Sequence, residues 1–142
     1  MANAGFTTFY DGIMTGAIDL DTASIKASLV RGYTFVATHT FVSDITGAGG
    51  TLNGTTAALS SVTVSGGVFN AANTTLSSTA SGTNHGILVY QSSAVTGGAD
   101  VAASAQRVIC YLDTGTGLPI QPGTGTVAIN WDTGTNKILK IG

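Results

Sequence analysis

From Ile45 to Ala99 the chain runs 55 residues without an Asp, Glu, Lys or Arg. A soluble domain carries about a quarter of its residues as charges, so few kinds of fold accommodate such a gap. Thr, Ser, Asn and Gly interrupt the segment too often for a bilayer, where a spanning helix needs about 20 predominantly apolar residues. Its Val, Ile, Leu, Phe and Tyr content is too high for a chain that stays unfolded. What remains is a folded surface of Thr, Ser, Asn, Ala and Gly. Such a surface is desolvated against a neighbour without stripping water from an ion, which points to a subunit of an assembly.

The chain has 142 residues, enough for one domain that buries roughly 70% of its unfolded surface. Hydrophobic residues make up 43% and charged residues 8%, and every acid is Asp. With Glu absent and Lys, Arg and Gln scarce, strong helix formers are few, while Thr and Val favour strands. Five cations spread from Lys26 to Lys140 make no basic stripe, so nucleic acid is not an expected partner, and neither is a membrane. The opening Met-Ala-Asn-Ala-Gly lacks a basic segment followed by an apolar one, so no secretory signal is expected. Cys110 is the lone cysteine, which leaves no intrachain disulfide or cysteine metal cluster and fits synthesis in a reducing compartment.

Phe6, Phe9, Tyr10, Ile13 and Ala17 recur at helical spacing, with Asn3 as a cap and Gly16 as a stop. This predicts one N-terminal helix over about residues 3–16 and a β body over 18–142. Ser24 to Val30 alternates like a half-buried strand, with Ile25, Ala27 and Leu29 on one face. Tyr33 to Val42 reads as extended or irregular, and Gly47 to Thr56 as a loop by composition. Leu59 to Ser65 and Val68 to Asn70 form a hairpin at Gly66-Gly67. A polar stretch from Ser77 to Asn84 precedes strands His85 to Gln91 and Arg107 to Asp113. Thr126 to Trp131 and Lys137 to Ile141 flank Asp132 to Asn136, read as a five-residue hairpin loop. The expected fold is mainly β: a single antiparallel sandwich or barrel-like domain.

No motif in this chain assembles an active site. His39 has Ser43 and Asp44 near it in sequence, but no Gly-x-Ser-x-Gly elbow is present, and hydrogen bonding within a loop is the simpler role. His85 reads as a surface residue. Asp19 and Asp21 would begin a calcium loop only with Gly and Glu at its sixth and twelfth positions, which hold Ser24 and Val30. Turn-forming aspartates are expected instead. The Gly-rich runs lack the Lys-Ser/Thr of a phosphate loop. No enzyme activity, cofactor or metal is expected. Asn53-Gly-Thr55 and Asn73-Thr-Thr75 match the glycosylation acceptor pattern by chance in a Thr-rich chain. Cys110 alternates with Val108 and Leu112, while Ile109 and Tyr111 are apolar on the other face, as in a central strand. Tyr90 and Trp131 also read as core.

The order of segments carries a resemblance. Gly16-Ala-Ile-Asp-Leu20 and Ile25-Lys-Ala-Ser-Leu29 follow an amphipathic start, and Thr38-His39-Thr-Phe41-Val-Ser43-Asp44 comes next. The hairpin Val62 to Phe69, the strand Ile87-Leu-Val-Tyr90 and the end pieces Asp113-Thr-Gly-Thr-Gly-Leu-Pro119, Ile129-Asn-Trp131 and Asn136-Lys-Ile138 complete the series. Together they resemble a family of small structural proteins of tailed bacteriophages, read as capsid decoration or cement subunits. Relatives often carry aspartates where this chain has Phe69-Asn70-Ala71-Ala72-Asn73. The resemblance implies a virion protein on the capsid surface, made in the host cytoplasm, forming a homotrimer or other homo-oligomer and contacting the major capsid protein.

The expected function is therefore stabilisation of the phage head through contacts with coat subunits. Candidate contacts are Phe6 and Tyr10 in the N-terminal segment, Gly49, Thr51, Asn53 and Thr55 in the uncharged loop, and Asn70 and Asn73 after the hairpin. The alternatives are a tail, neck or fibre component, or a carbohydrate-binding β-sandwich that would need exposed aromatics such as Trp131 or Tyr90. The Thr, Ser and Asn positions between Gly47 and Asn84 should then be mostly buried in the assembly and mostly exposed in the isolated subunit.

Overall fold

The computed structural model describes residues 4–141, with Ser78 described by its backbone alone. The fold is mainly β, with antiparallel sheets and a short N-terminal helix. Among the described residues, ten strands and two helices follow in the order β1 (Ala4–Gly5), α1 (Thr7–Met14), β2 (Ser24–Arg31), α2 (Val42–Gly47), β3 (Thr51–Asn53), β4 (Thr63–Ser65), β5 (Val68–Asn70), β6 (Thr74–Thr79), β7 (Gly86–Ser93), β8 (Arg107–Leu112), β9 (Gly125–Ile129) and β10 (Leu139–Lys140).

The main sheet has five strands in the order β1-β8-β7-β2-β3. Its registers align Leu29 with Ile87 and Ile87 with Leu112, giving one apolar row across three strands. Tyr111, one residue earlier on β8, belongs to the opposite face. There its ring stands edge-on to Tyr33 at 5.3 Å and stacks with Phe35, which meets Phe6 at 4.9 Å. A Cβ at Gly86 would lie 2.5 Å from the Tyr111 ring, so only glycine fits beneath it. β8 is covered on both faces, as its two-sided apolar pattern implies.

Two smaller sheets lie beside this platform. One has the order β10-β5-β4 and the other pairs β6 with β9. Val64, Phe69 and Leu139 form a row across the first, and Leu76 of β6 and Ile129 of β9 are buried in the second. Gly66 and Gly67 both take positive φ, +57° and +75°, the requirement of the two-residue turn read from the sequence.

Several expectations are corrected. The helix is shorter than residues 3–16. Asn3 lies outside the described residues, and Ala4–Gly5 is held extended against β8, with the Phe6 N–H donating to the Ile109 carbonyl at 3.1 Å. Helix α1 therefore starts at Thr7, and Gly16 follows it at φ +73°, as a stop residue should. β2 is not half-buried: Ser24 and Ser28 lie inside, with Ser24 Oγ donating to the Val95 carbonyl and Ser28 Oγ to that of Gly54. Hydroxyls with built partners are as much at home in the interior as alanines. α2 occupies a stretch read as irregular, since six residues are too few to display helical periodicity. β3 occupies a stretch read as loop, and β6 runs into the polar stretch from Ser77, where no strand was expected. Finally, β9 and β10 do not pair with each other: β9 joins β6 and β10 joins β5. The Trp131 N–H donates to Asn73 Oδ1 at 2.9 Å and its indole N–H to the Ala72 carbonyl at 3.0 Å, which turns the chain toward the other sheet.

Candidate interaction surface

The charge gap divides into a polar interior and a polar exterior. Inside, Asn53 acts as a clasp: its amide nitrogen donates to the Ala80 carbonyl at 2.8 Å and to Asn84 Oδ1 at 3.1 Å. Its carbonyl oxygen accepts from the Ala80 N–H at 2.7 Å. Asn84 in turn donates to the Gly82 carbonyl. Thr56 Oγ1 accepts from the Ala27 N–H at 3.0 Å, which completes the edge of β2 after β3 has ended. Outside, Thr51, Thr55, Ser60, Ser61, Thr63 and Ser65 are exposed, followed by Asn73, Thr75, Ser77 and Ser81. Asn70, Thr74 and Thr83 are half-buried, and Asn53, Thr56, Thr79 and Asn84 are buried. Most of the uncharged polar groups of this segment thus face solvent.

The candidate contacts do not form one patch. Phe6 and Asn53 are corrected outright: Phe6 is 0% exposed and Asn53 4%, so neither reaches a partner. Phe6 belongs to the aromatic cluster and Asn53 to the clasp. Gly49 and Thr51 are exposed together beside β3, at one edge of the main sheet. Tyr10 is half-buried against Gly5 of β1, at the other edge. Thr55 is exposed, with its hydroxyl 3.2 Å from that of Tyr90. Asn70 ends β5, and Asn73 is exposed while its carbonyl oxygen holds Trp131.

Sequence reasoning missed an apolar cleft of about 470 Å³ between the end of α1 and the β10-β5-β4 sheet. Ile13, Ile18, Val64, Phe69, Leu139 and Ile141 line it. Val64 is 49% exposed and Ile141 40%, and Met14, beside Ile13, is 77% exposed. Nothing in the sequence signals this cleft, because its walls come from three separate stretches of chain. Asp19 and Asp21 stand at its rim. The Asp19 carboxyl is held below its usual range, first by a hydrogen bond with Asp21, whose own carboxyl is raised by the same contact. They form a turn, with the Asp21 N–H donating to Asp19 Oδ1 at 3.3 Å.

The histidines and acids find structural partners. His39 Nδ1 is 3.0 Å from the Tyr33 hydroxyl, inside its loop. Asp44 accepts from the Phe41 and Thr40 N–H groups at 2.9 and 2.8 Å, which hold its carboxyl below the usual range. That carboxylate caps α2 rather than orienting His39. His85 is exposed. Burial pushes the Cys110 thiol up to about 12, as for an inert core cysteine. Tyr90 and Trp131, the aromatics a sugar platform would need, are 4% and 7% exposed.

Among the described residues, no group of three or more His, Cys, Asp or Glu is placed to hold a metal, and no helix is long and apolar enough to cross a membrane. No protein-family model, curated protein or solved structure matches this chain.

Proposed function

We propose that this chain is a virion structural subunit that decorates a phage capsid and stabilises it by contacting coat subunits. The observation that carries the reading is the exterior of the charge gap. Exposed Thr, Ser and Asn side chains run from Thr51 to Ser81 without an ion. Pressing such a surface against a neighbour costs only the rearrangement of hydroxyl and amide hydrogen bonds. Each contact is weak, and a symmetric lattice multiplies it because each subunit meets several neighbours. The order of sequence segments supports the same reading. Association as a homotrimer or other homo-oligomer would raise the number of contacts per particle further.

The test uses the purified chain and undecorated heads. Sedimentation with heads should saturate at a fixed ratio of subunit to coat protein, and the decorated heads should resist heat or low-salt disruption better than bare ones. A chain that neither sediments with heads nor protects them would end this proposal. Saturable binding to tails alone would move the subunit to the tail or neck.

A further inference from the structure

The edges of the small sheets are guarded unequally. β10 carries Lys140, with Lys137 close before it, and the β6–β9 ladder has a register shift between Leu76 and Thr79. Lysines and irregularities of this kind are the usual protections of an exposed strand edge. β4 has none of them. Thr63, Val64 and Ser65 are all exposed and uncharged, and no proline interrupts the approach from Leu59.

The hydrogen-bond phase of the hairpin fixes what this edge offers. Phe69 and Gly67 direct their carbonyls to β10, accepting from the Ile138 and Ile141 N–H groups at 3.2 and 2.8 Å. Val64 pairs with Phe69 in the register, and partners on either side of a non-hydrogen-bonded position turn their peptide groups away from each other. The Val64 N–H and C=O therefore both point out of the sheet. Its side chain continues the row Leu139–Phe69–Val64 and stops there, half exposed at the margin of the apolar cleft.

We infer that β4 is a homotypic docking edge: two copies of this chain pair antiparallel through β4 about a two-fold axis centred on Val64. That arrangement lets each Val64 exchange both peptide hydrogen bonds with its counterpart. It extends the apolar row through Val64 of both copies into one six-stranded sheet and brings the two clefts side by side. A second copy fits better than an unrelated strand because the edge is self-complementary in this register. No charge from the 55-residue gap is set against its own image. The pairing does not depend on which particle the subunit serves, and it is measured without heads.

Sedimentation velocity over a wide concentration range should show a reversible monomer–dimer equilibrium. Val64→Pro removes only the outward N–H, which an edge strand tolerates, and Val64→Lys sets two cations face to face. Each should shift the dissociation constant at least tenfold while circular dichroism stays unchanged. Because both variants alter a residue of the hairpin itself, a third carries the register. Val64→Cys should form an intermolecular disulfide under mild oxidation, since antiparallel partners at such a position lie about 5.5 Å apart at Cα. Thr63→Cys, which the two-fold places opposite Ser65, should not, and the buried Cys110 stays silent in both. A chain that remains monomeric at millimolar concentration overturns the inference. So does an oligomer indifferent to all three Val64 variants, or a trimer or larger ring lost on Val64→Pro, which would mean head-to-tail pairing.

Discussion

The five-stranded platform and the flank built by β4, β5, β6 and the loops around them use the same residue types in opposite ways. In the platform, Ser24, Ser28, Ser92 and Ser93 are buried, each within hydrogen-bond reach of backbone or a neighbouring side chain, among Val, Ile and Leu. On the flank, Thr63, Ser65, Thr75 and Ser77 stand in solvent around single anchors, Phe69 and Leu76. The platform's few charges include Lys26 of β2, which closes an ion pair with Asp100 at 2.8 Å. The flank lacks charges altogether. Thr and Ser are therefore not markers of a surface in this chain. The absence of ions is the sharper marker where it coincides with exposure, as it does across the flank and along the turn from α2 into β3, where Gly49 and Thr51 are exposed.

The largest effect should come from Phe6, which separates a core residue from a contact residue. Phe6→Ala is expected to cost about 3–5 kcal/mol in a urea titration, the range for a large aromatic removed from a packed core. A variant that folds normally and loses only partner binding would return Phe6 to the surface and break the division between platform and flank. Asn53→Ala should come next. Removing the clasp leaves the buried Asn84 Oδ1 without its Asn53 donor, at about 1–3 kcal/mol, and should loosen the join between β3 and the end of β6. Amide exchange at Ala80 would report it, because that N–H is bonded to Asn53 alone among side chains.

Asp44 sits in α2, on the connection between platform strands β2 and β3. Its carboxyl is lowered by the Phe41 and Thr40 N–H groups, so the folded state binds a proton less readily than the unfolded chain. The cap's contribution is then complete above the ordinary value of 3.8 and is lost as pH falls through the lowered folded value. Asp44→Ala should cost about 1 kcal/mol at neutral pH, as a lost cap does, and progressively less as pH falls through the lowered folded value. A pH-independent difference in urea midpoint would mean that packing around α2, rather than the carboxylate, carries the effect.

What could be read in the sequence followed from local rules. The Gly66-Gly67 turn, the two-faced apolar run of β8, the stop at Gly16 and the burial of Tyr90 and Trp131 each depend on residues close in the chain. The failures share a cause as well. β6 was hidden because a strand of Thr and Ser with one buried leucine lacks a regular apolar alternation. α2 was too short to show a period. The hairpin expected between Trp131 and Lys137 failed because Asn73, far away in sequence, captures the Trp131 N–H. Neither Phe6 nor Asn53 could be separated from true surface residues by type or spacing, since their burial is decided by Tyr111, Phe35, Ala80 and Asn84. The apolar cleft, assembled from α1, β4, β5 and β10, had no local signature at all.

The smallest effect on stability should give the most direct reading of the flank. Asn73→Asp keeps an oxygen for the Trp131 N–H and adds one charge at an exposed site. Thr51→Asp adds one charge at the edge of the main sheet, on the other candidate patch and opposite Arg31 in the ladder. Both should change folding stability by no more than about 0.5 kcal/mol, as exposed substitutions do. Binding is another matter, because an unpaired carboxylate buried in an interface costs several kcal/mol, and 1.4 kcal/mol is already a tenfold loss. If only Asn73→Asp weakens sedimentation with heads, the partner lies against the turn after β5. If only Thr51→Asp does, it lies against β3 and α2. If neither does, an exposed surface without ions is not what the partner reads, and the contrast between platform and flank loses its functional meaning while keeping its structural one.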